Sequence, residues 1–175
     1  LRYVKKTPRT LWFPGSASRG AVASMTSGTA VSTQSIALVG NPNSGKTTLF
    51  NSLTGLRQKI ANYPGVTVEK KEGTLTLPES GKVISVLDLP GTYSLLTRSL
   101  DEEVVHHVIT GRQEGTSTPS LLLIIVDASN LERNLYFVTQ LLETGIPCVI
   151  ALNMWDLALK NSILIDLAEL SRQLK

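Results

Sequence analysis

A three-layer α/β fold with a mainly parallel sheet is predicted for this chain of 175 residues by three observations. Short apolar runs alternate with stretches of helical spacing, the pattern of βαβ units. One of those runs, Leu121 to Val126, is apolar throughout, as expected of a strand covered on both faces. A Gly-rich turn joins the first strand to the first helix, the arrangement of a phosphate-binding loop.

Each element follows in order. Ile36 to Val39 reads as a strand, and Lys46 to Leu53 as the start of a helix. Val66 to Leu77 and Lys82 to Leu87 are β-rich runs separated by Pro78-Glu79-Ser80-Gly81, a turn signal, so they form a hairpin. Leu100 to Thr110 is a helix closed by Gly111. After the Leu121 strand, Leu131, Leu135, Val138 and Leu142 share one helical face, and Gly145 ends that helix. Pro147 to Leu152 is a second buried strand, and Ser162 to Leu174 a final amphipathic helix.

Composition excludes several classes. At 42% hydrophobic and 18% charged, the chain is not a disordered chain, a collagen-like repeat or a disulfide-stapled mini-protein. One cysteine, Cys148, cannot form an internal bridge and reads as core. The six apolar residues from Leu121 fall far short of the ~20 that span a bilayer as a helix. The net charge of +3 is uneven: residues 1–34 carry Arg2, Lys5, Lys6, Arg9 and Arg19 and no acid, whereas the remainder has 12 basic and 14 acidic residues. Nucleic acid is therefore not an expected partner of the body. We read 1–34 as a basic disordered tail and 35–175 as the domain. The tail has three readings: sequence upstream of a native start at Met25, a basic arm, or a transit peptide.

Gly40-Asn41-Pro42-Asn43-Ser44-Gly45-Lys46-Thr47 fits G-x-x-x-x-G-K-[ST] in full. Its glycines let backbone amides turn toward a polyphosphate at a helix N-terminus, which Thr48 extends. Lys46 would reach the β- and γ-phosphates and the Thr47 hydroxyl would ligate Mg²⁺. Asp88-Leu89-Pro90-Gly91 ends a strand, placing a carboxylate where Mg²⁺ is held and the Gly91 amide where a γ-phosphate is sensed. Asn153-Met154-Trp155-Asp156 follows the next buried strand. A carboxylate at Asp156 accepts from guanine N1–H and its 2-amino group, whereas adenine offers neither donor. Two such bonds, each about 1.5–3 kcal/mol, give about a hundredfold discrimination. Asn153 would brace the loop, and Met154 supplies the apolar contact to the base. Phosphate loop, DxxG and NxxD in this order identify a GTP-binding switch of Ras-like class. Between the first two, Gly65-Val66-Thr67-Val68-Glu69 supplies Thr67 as the residue that closes on Mg²⁺ and γ-phosphate. Lys46 and Thr67 are thus the candidate catalytic residues.

GNPNSGKTTLFNSLTG, NYPGVTVEKKEG, DLPGTYSL, VDASNLERNLYF and GIPCVIALNMWD together resemble the G domain of the ferrous iron transport protein B family. The likeness covers roughly four-fifths of the chain, from Ile36 onward. It implies an amino-terminal GTPase domain on the cytoplasmic side of the bacterial inner membrane. The membrane portion of the same parent protein is its partner, GTP/GDP its ligand, and a homo-oligomer is left open. It also implies that the last guanine loop, final strand and final helix lie beyond Lys175, leaving a sheet edge and apolar surface uncovered. Asn43 matches a residue that helps hold K⁺ in potassium-stimulated relatives, where the cation would act as an arginine finger does elsewhere. Thr92 stands where Ras-like enzymes have Gln, so slow, cation-assisted hydrolysis is expected. The alternative is a soluble potassium-stimulated GTPase of ribosome-assembly or tRNA-modification type. A binding-only module is the other rival.

Two further groups carry weaker signals. Glu102/His106 and Glu103/His107 are i,i+4 pairs compatible with metal ligation, although acids near a helix N-terminus suit a solvated face equally well. Lys59, Lys70 and Lys71 read as solvated edges.

Overall fold

The computed structural model describes residues 2–5, 34–55 and 58–174. In chain order its elements are β1 (Arg2–Lys5), β2 (Ser35–Gly40), α1 (Lys46–Thr54), β3 (Gln58–Asn62), β4 (Glu69–Thr76), β5 (Val83–Asp88), α2 (Leu100–Ile109) and β6 (Leu121–Asp127). A 3₁₀ turn (Ala128–Asn130), α3 (Leu131–Leu142), β7 (Cys148–Asn153), α4 (Trp155–Lys160) and α5 (Leu167–Gln173) complete them. They build one seven-stranded sheet in the order β1-β7-β6-β2-β5-β4-β3. Pairing is parallel from β1 to β5, and β4 and β3 add antiparallel.

Both faces of the central strands are dry, which explains their unbroken apolar runs. Ala37 and Val39 of β2, with Leu122, Ile124 and Val126 of β6, join the larger core beneath α2 and α3. Leu38 and Ile125, the alternate residues, face the smaller core beneath α1 with Phe50 and Val86. Full burial of side chains such as Phe50 and Phe137 contributes about 1.5–3 kcal/mol each. Among the described residues the second face has one covering helix, α1. An apolar cavity of 420 Å³ remains between α1 and β6–β7, with Leu49, Leu53 and Leu123 among its walls.

Four expectations are corrected. The final helix, expected over Ser162–Leu174, begins only at Leu167, and a short helix with no sequence expectation, α4, precedes it. Ser162 takes a left-handed φ of 58° just after α4, and Asp166 opens α5 by accepting from the N–H groups of Ala168 and Glu169 at 2.9 and 3.0 Å. The Val66 run enters its strand only at Glu69. Tyr63 N–H bonds Val68 O at 3.0 Å and Val66 N–H bonds Tyr63 O at 3.2 Å, so 63–68 is a closed turn. β3 had no signal because its five residues are exposed on the sheet edge and carry no alternation to read. The tail is expected to be largely disordered, yet Arg2–Lys5 lies parallel to β7, in register from Val149 to Leu152. Backbone pairing along an open edge asks no pattern of the side chains, so composition could not reveal it. Residues 1 and 6–33 of the tail lie outside the described residues.

The hairpin forms as expected, closed by Leu77 N–H to Lys82 O at 2.9 Å. Its effect is to carry 63–71 back to the carboxyl ends of the parallel strands, where α/β proteins bind ligands. No helix among the described residues is long and apolar enough to cross a membrane.

Candidate functional site

The carboxyl end of β2 runs into 40–45, a loop whose geometry is set by two left-handed residues, Asn43 (φ 62°) and Gly45 (φ 85°). A side chain at Gly45 would run into the Asn153 amide, so only Gly satisfies both backbone and neighbour there. Ser44 N–H closes the loop onto Asn41 O at 3.3 Å. Asn41 Nδ2 and Ser44 Oγ are buried without a hydrogen-bond partner among the described residues. These are groups that a bound polar ligand or water would satisfy.

Lys46 opens α1 and its Nζ stands 2.6 Å from Asp88 Oδ1 at the end of β5. Both side chains are nearly enclosed, so the pair is only weakly screened by solvent. Beyond Asp88 the chain crosses the loop's root: Leu89 N–H bonds Leu38 O and Thr92 N–H bonds Gly40 O, at 3.1 and 3.3 Å. Gly91 lies so close to Pro42 that an added Cβ would fall 3.0 Å from its Cα. From the other side, Asn153 Nδ2 donates to Ser44 O at 2.9 Å. The three motifs, 116 residues apart at their extremes, therefore meet on one loop.

A polar cavity of 250 Å³ opens beside it, lined by Lys46, Thr47, Val68, Glu69, Asp88, Leu89, Pro90 and Gly91. Thr47 and Asp88 bring hard oxygen donors to that cavity, a donor set that suits Mg²⁺. Asp101 and Lys71 also line it. Neither was assigned to the site from the sequence, where Lys71 passed for a solvated edge. Glu69 and Lys71 share a strand face, which the period of two foretells, and their side chains pair at 3.4 Å. Nothing in the sequence marks Asp101, because α2 reaches the cavity only through tertiary packing. Lys70 is no free edge charge either: it stands 3.6 Å from Glu72 and donates to Gly115 O at 3.3 Å.

Other expected residues sit apart from this cavity. Thr67 is exposed in the turn before β4, as is Gly65, and with Val66 they lie outside the lining. Asn43 is exposed on the loop, and Asp156 is exposed in the first turn of α4. Met154 adopts a left-handed φ of 54° and, with Thr48, borders the apolar cavity next to the loop. Trp155 packs on the larger core. Thr92 is buried at 3% exposure, and its hydroxyl has no partner among the described residues. The Tyr63 phenol, buried at the foot of the 63–68 turn, has its pKa pushed up by desolvation and by the carboxylates of Asp88 and Glu72.

The Glu/His pairs do not assemble a metal site. Glu102 is engaged by Arg98 N–H, Ser94 Oγ and Ser99 Oγ at 3.1–3.3 Å, and the described residues gather no three His, Cys, Asp or Glu side chains around a metal position. Cys148 is half-buried in β7, and burial raises its thiol pKa.

The family model described as ferrous iron transport protein B matches residues 34–175. The chain belongs to this family. It is 53% identical over 144 residues to the Fe(2+) transporter FeoB of Escherichia coli K12 and to that of Salmonella typhimurium LT2. Each match covers 79% of this chain but 18% of the relative, so the chain spans under a fifth of their length. Among solved structures, a mutant S. thermophilus NFeoB bound to mGDP superposes with a TM-score of 0.71 at 45% identity, covering 81% of this chain and 51% of that one. The G domain of the T. maritima FeoB iron transporter gives 0.68 at 41% identity, covering 80% and 81%. The fold is thus that of the FeoB G domain, a P-loop GTPase fold.

Proposed function

We propose that the chain binds and slowly hydrolyses GTP and thereby regulates ferrous iron uptake by the membrane portion of its parent protein. The observation that carries this reading is the convergence on one loop of Lys46–Asp88 at 2.6 Å and Asn153–Ser44 at 2.9 Å. The 40–47 loop is thereby joined both to the end of β5 and to the turn after β7. The GDP-type ligands of the S. thermophilus structures support the choice of nucleotide.

In this reading the 40–47 backbone cradles the phosphates, Lys46 leaves Asp88 for the β- and γ-oxygens, and Asp156 reads guanine. Thr47 and Asp88, joined by Thr67 once 63–68 closes over the triphosphate, would hold Mg²⁺, which neutralises phosphate charge. Thr92 is turned inward, so no side chain after Gly91 orients the attacking water. Hydrolysis is accordingly slow and leans on a monovalent cation held by Asn43.

The deciding measurement is phosphate release from saturating GTP in KCl and in NaCl at equal ionic strength. The KCl rate should be higher, and Asn43→Ala should erase the difference while leaving GDP affinity nearly unchanged. Equal rates for the parent would remove K⁺ from the reading, and no release above background would remove hydrolysis. Thr67→Ala should slow release about tenfold or more with GDP binding spared, because its contact forms only with the triphosphate. Parallel losses of GDP and GTP affinity would make Thr67 a purely structural residue.

A further inference from the structure

α3 is a fixed post. Phe137, Val138 and Leu141 are at most 1% exposed, and Asn134 locks its first turn by donating to Asn130 O at 2.8 Å and accepting from Asp127 N–H at 3.3 Å. Two of its polar side chains are left over from this anchoring, Arg133 and Gln140. They lie two turns apart on one face, and both reach the same place. The Arg133 guanidinium carbon sits 4.3 Å from the centre of the Tyr93 ring, and Gln140 Oε1 accepts the Leu95 N–H at 2.9 Å.

Tyr93 and Leu95 belong to 92–99, which links Gly91 to α2 without regular structure. Its root is pinned at Gly40 through Thr92, and its far end is gathered by Glu102. Between these two anchors α3 adds its contacts at Tyr93 and Leu95 to the Ser94–Glu102 hydrogen bond at 3.2 Å and the packing of Leu95 on the larger core. Tyr93 is 40% exposed, too open for packing alone to fix it.

We propose that Arg133 and Gln140 are positioning residues that clasp the 92–99 segment against α3 and so hold Gly91 facing the phosphate cavity. The proposal rests on the GTP reading for its effect on turnover, but the clasp itself is measurable without nucleotide. It also explains the Leu131-Glu132-Arg133-Asn134 stretch: Asn134 fixes the post and Arg133 uses it.

Amide hydrogen exchange on the 175-residue chain reads the clasp directly. Gln140→Met should speed exchange at Leu95 about fivefold, the factor one net hydrogen bond carries. Gln140→Glu, which keeps an acceptor, should restore the parental rate. Arg133→Ala and Tyr93→Ala should each speed exchange over 92–96 about threefold, whereas Tyr93→Phe, which keeps the ring, should not. GTP turnover should fall in the same order with KM and GDP affinity unchanged. Unchanged Leu95 exchange in Gln140→Met, or failure of Gln140→Glu to rescue it, overturns the clasp. A loss of GDP affinity matching the loss of turnover overturns the positioning role. A parent chain that releases no phosphate refutes the hydrolysis reading instead, while the exchange series still decides the clasp.

Discussion

Asp156→Asn should invert the base preference of the site. The parent should favour GTP over ATP by about two orders of magnitude, from two charge-assisted bonds to N1–H and the 2-amino group. An Asn in its place presents an NH₂ to guanine's own 2-amino donor, so GTP binding weakens. Xanthosine triphosphate carries a carbonyl at C2 and keeps N1–H. It can accept from the new amide while N1–H donates to the Asn oxygen, and its affinity rises. Asp156 is exposed in the first turn of α4, so the exchange should leave the fold intact, which circular dichroism checks. If the folded variant binds GTP like the parent and gains nothing for the xanthine nucleotide, Asp156 does not read the base.

Gly45→Ala should abolish nucleotide binding and lower stability together. At φ 85° the backbone there costs an L-residue about 1–2 kcal/mol. The methyl group would also press on the Asn153 amide, breaking its bond to Ser44 O, worth about 1 kcal/mol. Thermal unfolding and GDP titration should therefore both shift, by about 2–3 kcal/mol in stability and beyond detection in binding. Gly55→Ala is the control: its φ is also positive, at 61°, but nothing lies within 4 Å, so it should cost only the backbone term and spare GDP. Adding Asn153→Ala to Gly45→Ala should recover part of the stability. Parent-like melting and affinity in Gly45→Ala would show that the loop does not need glycine.

Most of the sheet was legible because buried parallel strands leave unbroken apolar runs, as in Leu121 to Val126, and because glycines mark the ends of helices, as at Gly111 and Gly145. The edges were not. β3 is exposed at every residue, and Arg2–Lys5 pairs through backbone, so neither carries a pattern. The break between α4 and α5 hid for a related reason. Ile163, Leu167, Leu170 and Leu174 pack on the core at a spacing that fits one helical face, although 163–166 is not helical. In the site, Gly40–Thr47, Asp88–Gly91 and Asn153–Asp156 were readable as local signatures. Asp101 and Lys71 were not, because their place on the cavity depends on how α2 and β4 pack.

The sequence by itself therefore determined the fold class, the family resemblance and the three nucleotide motifs. Each rests on residues near one another along the chain, where spacing alone dictates which backbone amides and side chains share a turn. Only the tertiary structure decided that Lys46 meets Asp88, that Asn153 holds the loop through Ser44, and that Arg133 and Gln140 lie against Tyr93 and Leu95. These partners are 40, 42, 45 and 109 residues apart. No local propensity encodes such contacts; they exist because burial of both sheet faces brings the carboxyl ends of β2, β5, β6 and β7 to one edge.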